Sequence, residues 1–299
     1  MDKTLVVYFT GTGSSKLVAD AVEHSMMHKG VQVESHRLTE KTKTMLVDKA
    51  EHFDALILIY AVHAFNAPDM VYQWLDSLKP STHKKAMVIS VSGGGDMISN
   101  TACRLSAKKR LKAKGFDIIT EGMVTMPNNW MSATPMEISK TLVNVMPKKV
   151  ERWVEAFLAN QSVPYLSTKV IDRLITRLGR FEVKGARVFG QNIKSNDSCN
   201  GCGWCEKNCP ASNIVMILES AEKHPIPQFS SVCEFCLGCI YGCPQKALVP
   251  TKMSFAVIKS GYPLKEYVKP MDSALTEEEL KTKLKGFSWK GVRTYLELK

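Results

Sequence analysis

Nine cysteines are the residues of this chain most able to do chemistry, and eight of them lie between Cys199 and Cys243. Cys199, Cys202, Cys205 and Cys209 are followed by Pro210, and Cys233, Cys236, Cys239 and Cys243 by Pro244, so the run C-x2-C-x2-C-x3-C-P occurs twice, 34 residues apart. Three thiolates at three-residue steps can hold three iron corners of one cubane, while the fourth, turned away by the proline, reaches a neighbouring cluster. The spacing therefore predicts two [4Fe–4S] clusters that complete each other. Gly201, Gly203, Gly238 and Gly242 leave room for the backbone to approach the sulfides. Structural zinc sites separate their C-x2-C pairs by a longer spacer. A disulfide framework belongs to exported chains, whereas Thr4 to Phe9 run straight into a Gly/Ser loop without the apolar region and cleavage site of a signal peptide.

The segment 194–250 resembles the bacterial two-cluster ferredoxins, including Ile214 after the first Cys-Pro and Ala247 and Leu248 after the second. The resemblance implies an α+β ferredoxin-like domain. It also implies one cluster on Cys199, Cys202, Cys205 and Cys243, and another on Cys233, Cys236, Cys239 and Cys209. Cys103 stands outside the pattern and reads as a partly buried small hydrophobe.

The first 160 residues alternate Val-, Ile- and Leu-rich runs near 4–9, 31–37, 54–60, 85–92 and 116–126 with helical patterns near 15–28, 42–50, 68–78, 98–114 and 136–159. This alternation predicts a doubly wound α/β domain whose parallel sheet is covered on both faces. Ligands of such domains sit beyond the carboxyl ends of the strands. The first loop there, Thr10-Gly11-Thr12-Gly13-Ser14-Ser15, offers hydroxyls and the amides of a helix N-terminus, a cradle for a phosphate dianion or else an ordinary turn. Lys16 stands where a dinucleotide fingerprint needs its third glycine, and no Gly-Lys-Ser/Thr follows.

Thr10, Thr12, Gly13 and Ser15 resemble the mononucleotide loop of flavodoxins, Ser/Thr-x-Thr-Gly-x-Thr/Ser. That resemblance implies a flavodoxin-like five-stranded sheet of order 2-1-3-4-5 and FMN with its phosphate at residues 10–15. The flavin ring is then expected between loop 61–67, with Phe65, and loop 92–96, where Ser92, Gly93, Gly94 and Gly95 expose backbone to a flat ring. Trp130 is a second aromatic candidate, and His63 reads as a surface histidine. The whole chain resembles the flavodoxin–ferredoxin fusion iron–sulfur flavoproteins of anaerobic bacteria. The expected organisation is a flavodoxin-like domain over 1–160, a basic helical connector over 161–193, a ferredoxin domain over 194–250 and an extension over 251–299 with one helix, from the Thr276/Glu279 capping box to about Lys285.

At 299 residues with 44% hydrophobic and 23% charged residues, disorder and low complexity are excluded. No apolar run approaches the ~18–20 residues of a membrane span, and a cytoplasmic protein is expected. The net charge of +11 divides as +4 over 1–160, +4 over 161–198 and +3 over 199–299, so the connector is densest. There Val170, Leu174 and Leu178 recur at helical spacing among Arg173, Arg177 and Arg180, a helix read as a bridge between domains. Lys108, Lys109, Arg110, Lys112 and Lys114 read as a solvated face. No nucleic-acid reader motif accompanies the charge. The expected function is electron transfer between two [4Fe–4S] clusters and FMN in anaerobic metabolism, with a ferredoxin-like donor or a reductase acceptor as partner. The alternative is an FMN-dependent reductase of a quinone, nitro or unsaturated compound, fed by its own clusters.

Overall fold

The computed structural model describes residues 3–97, 100–163, 170–218, 224–271 and 273–298. It opens with β1 (Lys3–Phe9), α1 (Ser14–His28), β2 (Gln32–Arg37), α2 (Lys43–Glu51), β3 (Ala55–Ala61), α3 (Asp69–Ser77), β4 (Lys84–Ser92), α4 (Leu105–Ala113), β5 (Phe116–Thr125) and α5 (Met136–Leu158). The apolar runs of β1 and β3 bury six residues each and become central strands. The more polar β2 has no fully buried residue and takes an edge. The order is β2-β1-β3-β4-β5 and every pairing is parallel, which is the flavodoxin-like doubly wound sheet. Because β2 lies on one side of β1 and β3 on the other, the chain leaves these strands in opposite directions, and their carboxyl-end loops frame a crevice.

Each face of the sheet has its own core. Val18, Val22 and Met26 of α1 meet Leu142, Val150 and Phe157 of α5 on one face. Leu46, Met70, Trp74, Leu75 and Leu111 from α2, α3 and α4 cover the other.

Beyond the sheet come α6 (Val170–Gly179), α7 (Glu182–Gln191), β6 (Ile193–Ser195), α8 (Trp204–Asn208), β7 (Ile214–Ile217), β8 (Ile226–Phe229), α9 (Gly238–Gly242) and β9 (Leu248–Pro250). β6 pairs with β9 and β7 with β8, both antiparallel. A third core joins Ala186 and Phe189 of α7 to Ile214, Phe235, Leu237 and Ile240, and the rings of Phe189 and Phe235 stack at 4.2 Å. α7 thus shares a core with the cysteine runs.

Three elements differ from expectation. The helix expected over 98–114 begins at Leu105; positions 98 and 99 lie outside the described residues, and the Asn100 side chain donates to Ser92 Oγ and the Gly95 carbonyl, holding its own backbone in a turn. The connector folds as two helices rather than one. The extension carries α10 (Leu264–Tyr267), α11 (Glu277–Lys283) and α12 (Lys290–Tyr295) where one helix was expected. Its capping box is present, with Thr276 Oγ1 accepting from the Glu279 amide and the Glu279 carboxylate from the Thr276 amide. Leu280, Leu284, Val292 and Tyr295 complete the α1–α5 core, so the extension packs on the sheet domain.

Candidate functional site

The two cysteine runs fold alike. Gly201 and Gly203 have φ of 70° and 68°, and their counterparts 34 positions on, Phe235 and Leu237, have 54° and 58°. Each left-handed pair leads into a five-residue helix, α8 or α9, that ends on an extended cysteine, Cys209 or Cys243. The amide four residues later turns back to that sulfur, Asn213 N–H to Cys209 Sγ at 3.3 Å and Ala247 N–H to Cys243 Sγ at 3.4 Å. Helical turns interrupted by left-handed residues direct successive thiols inward and send the fourth thiol outward.

Two small cavities result. Cys199, Cys202, Cys205 and Cys243 line one, and Cys209, Cys233, Cys236 and Cys239 line the other. Each thus draws three cysteines from one run and the fourth from the other. The fields at the sulfurs follow the same grouping: after burial, Cys205 feels Cys243 and Cys199, and Cys239 feels Cys236, Cys233 and Cys209, then Cys205 of the other set. Burial pushes the free thiols up, Cys205 and Cys236 to about 11 and Cys233 to about 12. A bound cation would favour their thiolate forms. Among the described residues, no three His, Cys, Asp or Glu side chains converge closely enough to hold a single metal ion; the thiols stand around cavity walls instead. The donor set suits a polynuclear group with a thiolate at each corner. Cys103 is wholly buried and apart from both sets.

The phosphate-type loop lies against the second set. A Cβ on Gly11 would overlap the Cys236 carbonyl oxygen, so only glycine admits this approach. Arg37 ties the regions together by donating to the carbonyls of Thr10, at 2.9 Å, and Asn208, at 3.0 Å. Thr10 Oγ1 accepts from the Gly13 amide and Thr12 Oγ1 from Asn129 Nδ2. Tyr262 donates its proton to the Pro127 carbonyl, so Ser14 donates in their 2.7 Å contact. Ser15 Oγ, at the first turn of α1, is buried with no partner among the described residues. An orphaned hydroxyl beside the amides of a helix N-terminus fits a phosphate, provided Thr12 and Ser14 exchange their present partners. Asn129, Tyr262 and Leu264, which lies beside Gly13, were not singled out from sequence; nothing local in 127–129 or 261–264 signals this role.

The other loops divide. Ser92 Oγ accepts from the Gly94 amide, Gly93 abuts Asn128, and the Gly94–Gly95 backbone is covered by Gly291 of α12. Loops after β1, β4 and β5 thus gather under the extension. Loop 61–67 turns toward α6: Ala64 and Phe65 take φ of 38° and 65° in a tight turn closed by His63 and Asn66, and Asn66 Nδ2 donates to the Thr176 carbonyl. Phe65 is half-buried there, and Trp130 is 43% exposed. His63, expected at the surface, is half-buried, and burial lowers its pKa to about 4. It lines a cavity of about 470 Å³ with Glu234, Cys233, Arg180 and Arg187. The Glu234 carboxylate accepts from the amides of Asp69 and Met70, capping α3 from the cysteine region.

The lysine-rich face of α4 is partly paired: Lys108 and Arg104 hold Glu121, and Arg110 meets Asp76 at 2.8 Å. Among the described residues, no helix is long and apolar enough to cross a membrane.

No protein-family model and no curated protein matches the chain. Solved structures similar to it include a flavodoxin from the domain Archaea, 12% identical over 52% of this chain and 99% of that one, with a TM-score of 0.38. A Streptococcus pneumonia flavodoxin is 15% identical over 52% and 98%, with a TM-score of 0.39. A flavone reductase is 14% identical over 58% and 70%, with a TM-score of 0.40. At these values the fold assignment rests on strand order and pairing, not on the likenesses.

Proposed function

We propose that the chain is an electron-transfer protein holding two [4Fe–4S] clusters, one on Cys199, Cys202, Cys205 and Cys243 and the other on Cys233, Cys236, Cys239 and Cys209, with FMN at residues 10–15. The observation that carries this reading is the pair of cavities, each lined by one set with its fourth cysteine exchanged between runs. The neighbouring cavities suit passage of single electrons, and the approach of Gly11 to Cys236 supports an exit toward the sheet domain. FMN supplies chemistry in one- or two-electron steps. The chain's contribution is to orient and shield: amides from Asn213, Phe235 and Ala247 donate to Cys209, Cys233 and Cys243, bonds that tune cluster potential. Ser15 and the first-turn amides of α1 would hold the phosphate, with Thr10, Thr12 and Ser14 around it. Protein purified without oxygen is expected to carry about eight iron and eight sulfide per chain; zinc without acid-labile sulfide would overturn the reading. Released flavin is expected to be FMN by mass, and Ser15→Ala is expected to weaken its binding by about 1–3 kcal/mol without lowering the stability of the flavin-free chain.

The second reading, a reductase of a small electrophile, is favoured by the cavity beside Cys233, whose volume of about 470 Å³ suits a small molecule. Saturable turnover of one quinone, nitro or unsaturated compound would select it, and slow, unsaturable reoxidation by such compounds would reject it.

A further inference from the structure

α6 is inside out. Asp172 and Thr176 face the protein and are buried, with Thr101 Oγ1 donating to Asp172 and the Thr176 carbonyl accepting from Asn66. The apolar side chains face solvent: Val170, Ile171, Leu174, Leu178 and Phe181 are between 54% and 83% exposed. At about 100° per residue the four within α6 fall on one continuous arc, with Phe181 just beyond its end; Arg173 and Arg177 line the flank, both exposed, while Arg180 reaches over the Tyr72 ring at 5.7 Å. Lys184 and Arg187 of α7 extend the exposed positive charge. A bridging helix would turn its apolar stripe inward; here the polar face makes the bridge and the apolar face has no described partner.

We infer that α6 is a membrane-surface helix that seats the protein on an anionic bilayer. A single exposed helix with an aliphatic and aromatic crest and arginines alongside matches the two layers of such a surface, acyl chains for the crest and acidic headgroups for the arginines. The +11 net charge adds long-range attraction to that surface. A second copy fits poorly, because antiparallel two-fold pairing sets each arginine flank against its own copy. The helix lies in the interface and does not span it.

The test is flotation of the full chain with vesicles of phosphatidylcholine, alone or mixed with phosphatidylglycerol. Binding is expected only to the mixed vesicles and is expected to fall as salt rises. Arg177→Gln with Lys184→Gln is expected to lower the partition coefficient about tenfold or more, and Leu174→Glu with Leu178→Glu to abolish flotation. All four side chains are already exposed, so folding is retained, checked by circular dichroism and by unchanged iron content. No flotation of the parent chain, equal binding to both vesicle types, or leucine variants that float normally would each overturn the inference. So would a dimer in solution that the leucine variants dissolve, or capture by an acidic protein surface without vesicle binding.

Discussion

The two cysteine runs share a backbone and differ in surroundings. In the first, the left-handed positions are glycines, Cys202 is exposed and Cys199 half-exposed. In the second, the same positions carry Phe235 and Leu237, both nearly buried in the third core, and Cys236 lies under Gly11. Left-handed φ costs a side-chain-bearing residue about 1–2 kcal/mol. Burying a Phe or Leu side chain returns about 1.5–3 kcal/mol, which offsets that strain. One turn geometry can thus be reached through glycine's conformational freedom or through packing of a side chain in the interior, and the choice accompanies an outward-facing set and one facing the sheet domain.

The largest expected effect comes from breaking the exchange of ligands. Cys209→Ala is expected to remove the cluster on Cys233, Cys236 and Cys239, although it lies in the first run, and Cys243→Ala the opposite one. In each case iron should fall from about eight to about four. Loss of the cluster in the mutated run itself, seen by paramagnetic resonance with selective ligand variants, would refute the exchange.

Exposure should divide the two sets in time. Chelator or air is expected to release iron in two phases, the faster from the set containing exposed Cys202, and Cys243→Ala should eliminate that phase. A single phase in the parent protein would mean that the burial difference does not control access.

Packing against strain is tested at Phe235. Phe235→Ala is expected to cost about 3–5 kcal/mol of unfolding free energy, and Phe235→Gly about 1 kcal/mol less than the alanine variant, because glycine relieves the left-handed strain. Denaturant midpoints measure both, and a glycine variant no better than alanine would remove strain from the account.

The smallest effect is expected in the first run. Gly203→Ala, at φ 68° with ordinary room for a Cβ beside Met216, should cost about 1–2 kcal/mol while retaining full iron content. A cost near zero would show that the first run tolerates side chains as readily as the second.

Much of this molecule is written in local pattern. Apolar runs of seven to nine residues between amphipathic segments specify β1, β3 and β4, because a parallel strand must be apolar on both faces. The cysteine spacing specifies the repeated turns, because left-handed residues and short helices are properties of a few consecutive positions. Thr276 and Glu279 specify the start of α11 for the same reason. What joins distant residues was not legible. The polarity of α6 marks an amphipathic helix, but which face turns inward depends on Thr101 and Asn66, far earlier in the chain. The loop at 10–15 has the chemistry of a phosphate cradle, yet Tyr262, Leu264 and Cys236 reach it from more than 200 residues away. His63 looks like a surface residue, but it lines a cavity whose other walls come from Glu234 and α7. Periodicity and spacing constrain a segment's own backbone and its stripe of burial; the partner that stripe meets is selected by competition among all faces of the folded chain, and that was decided only in tertiary structure.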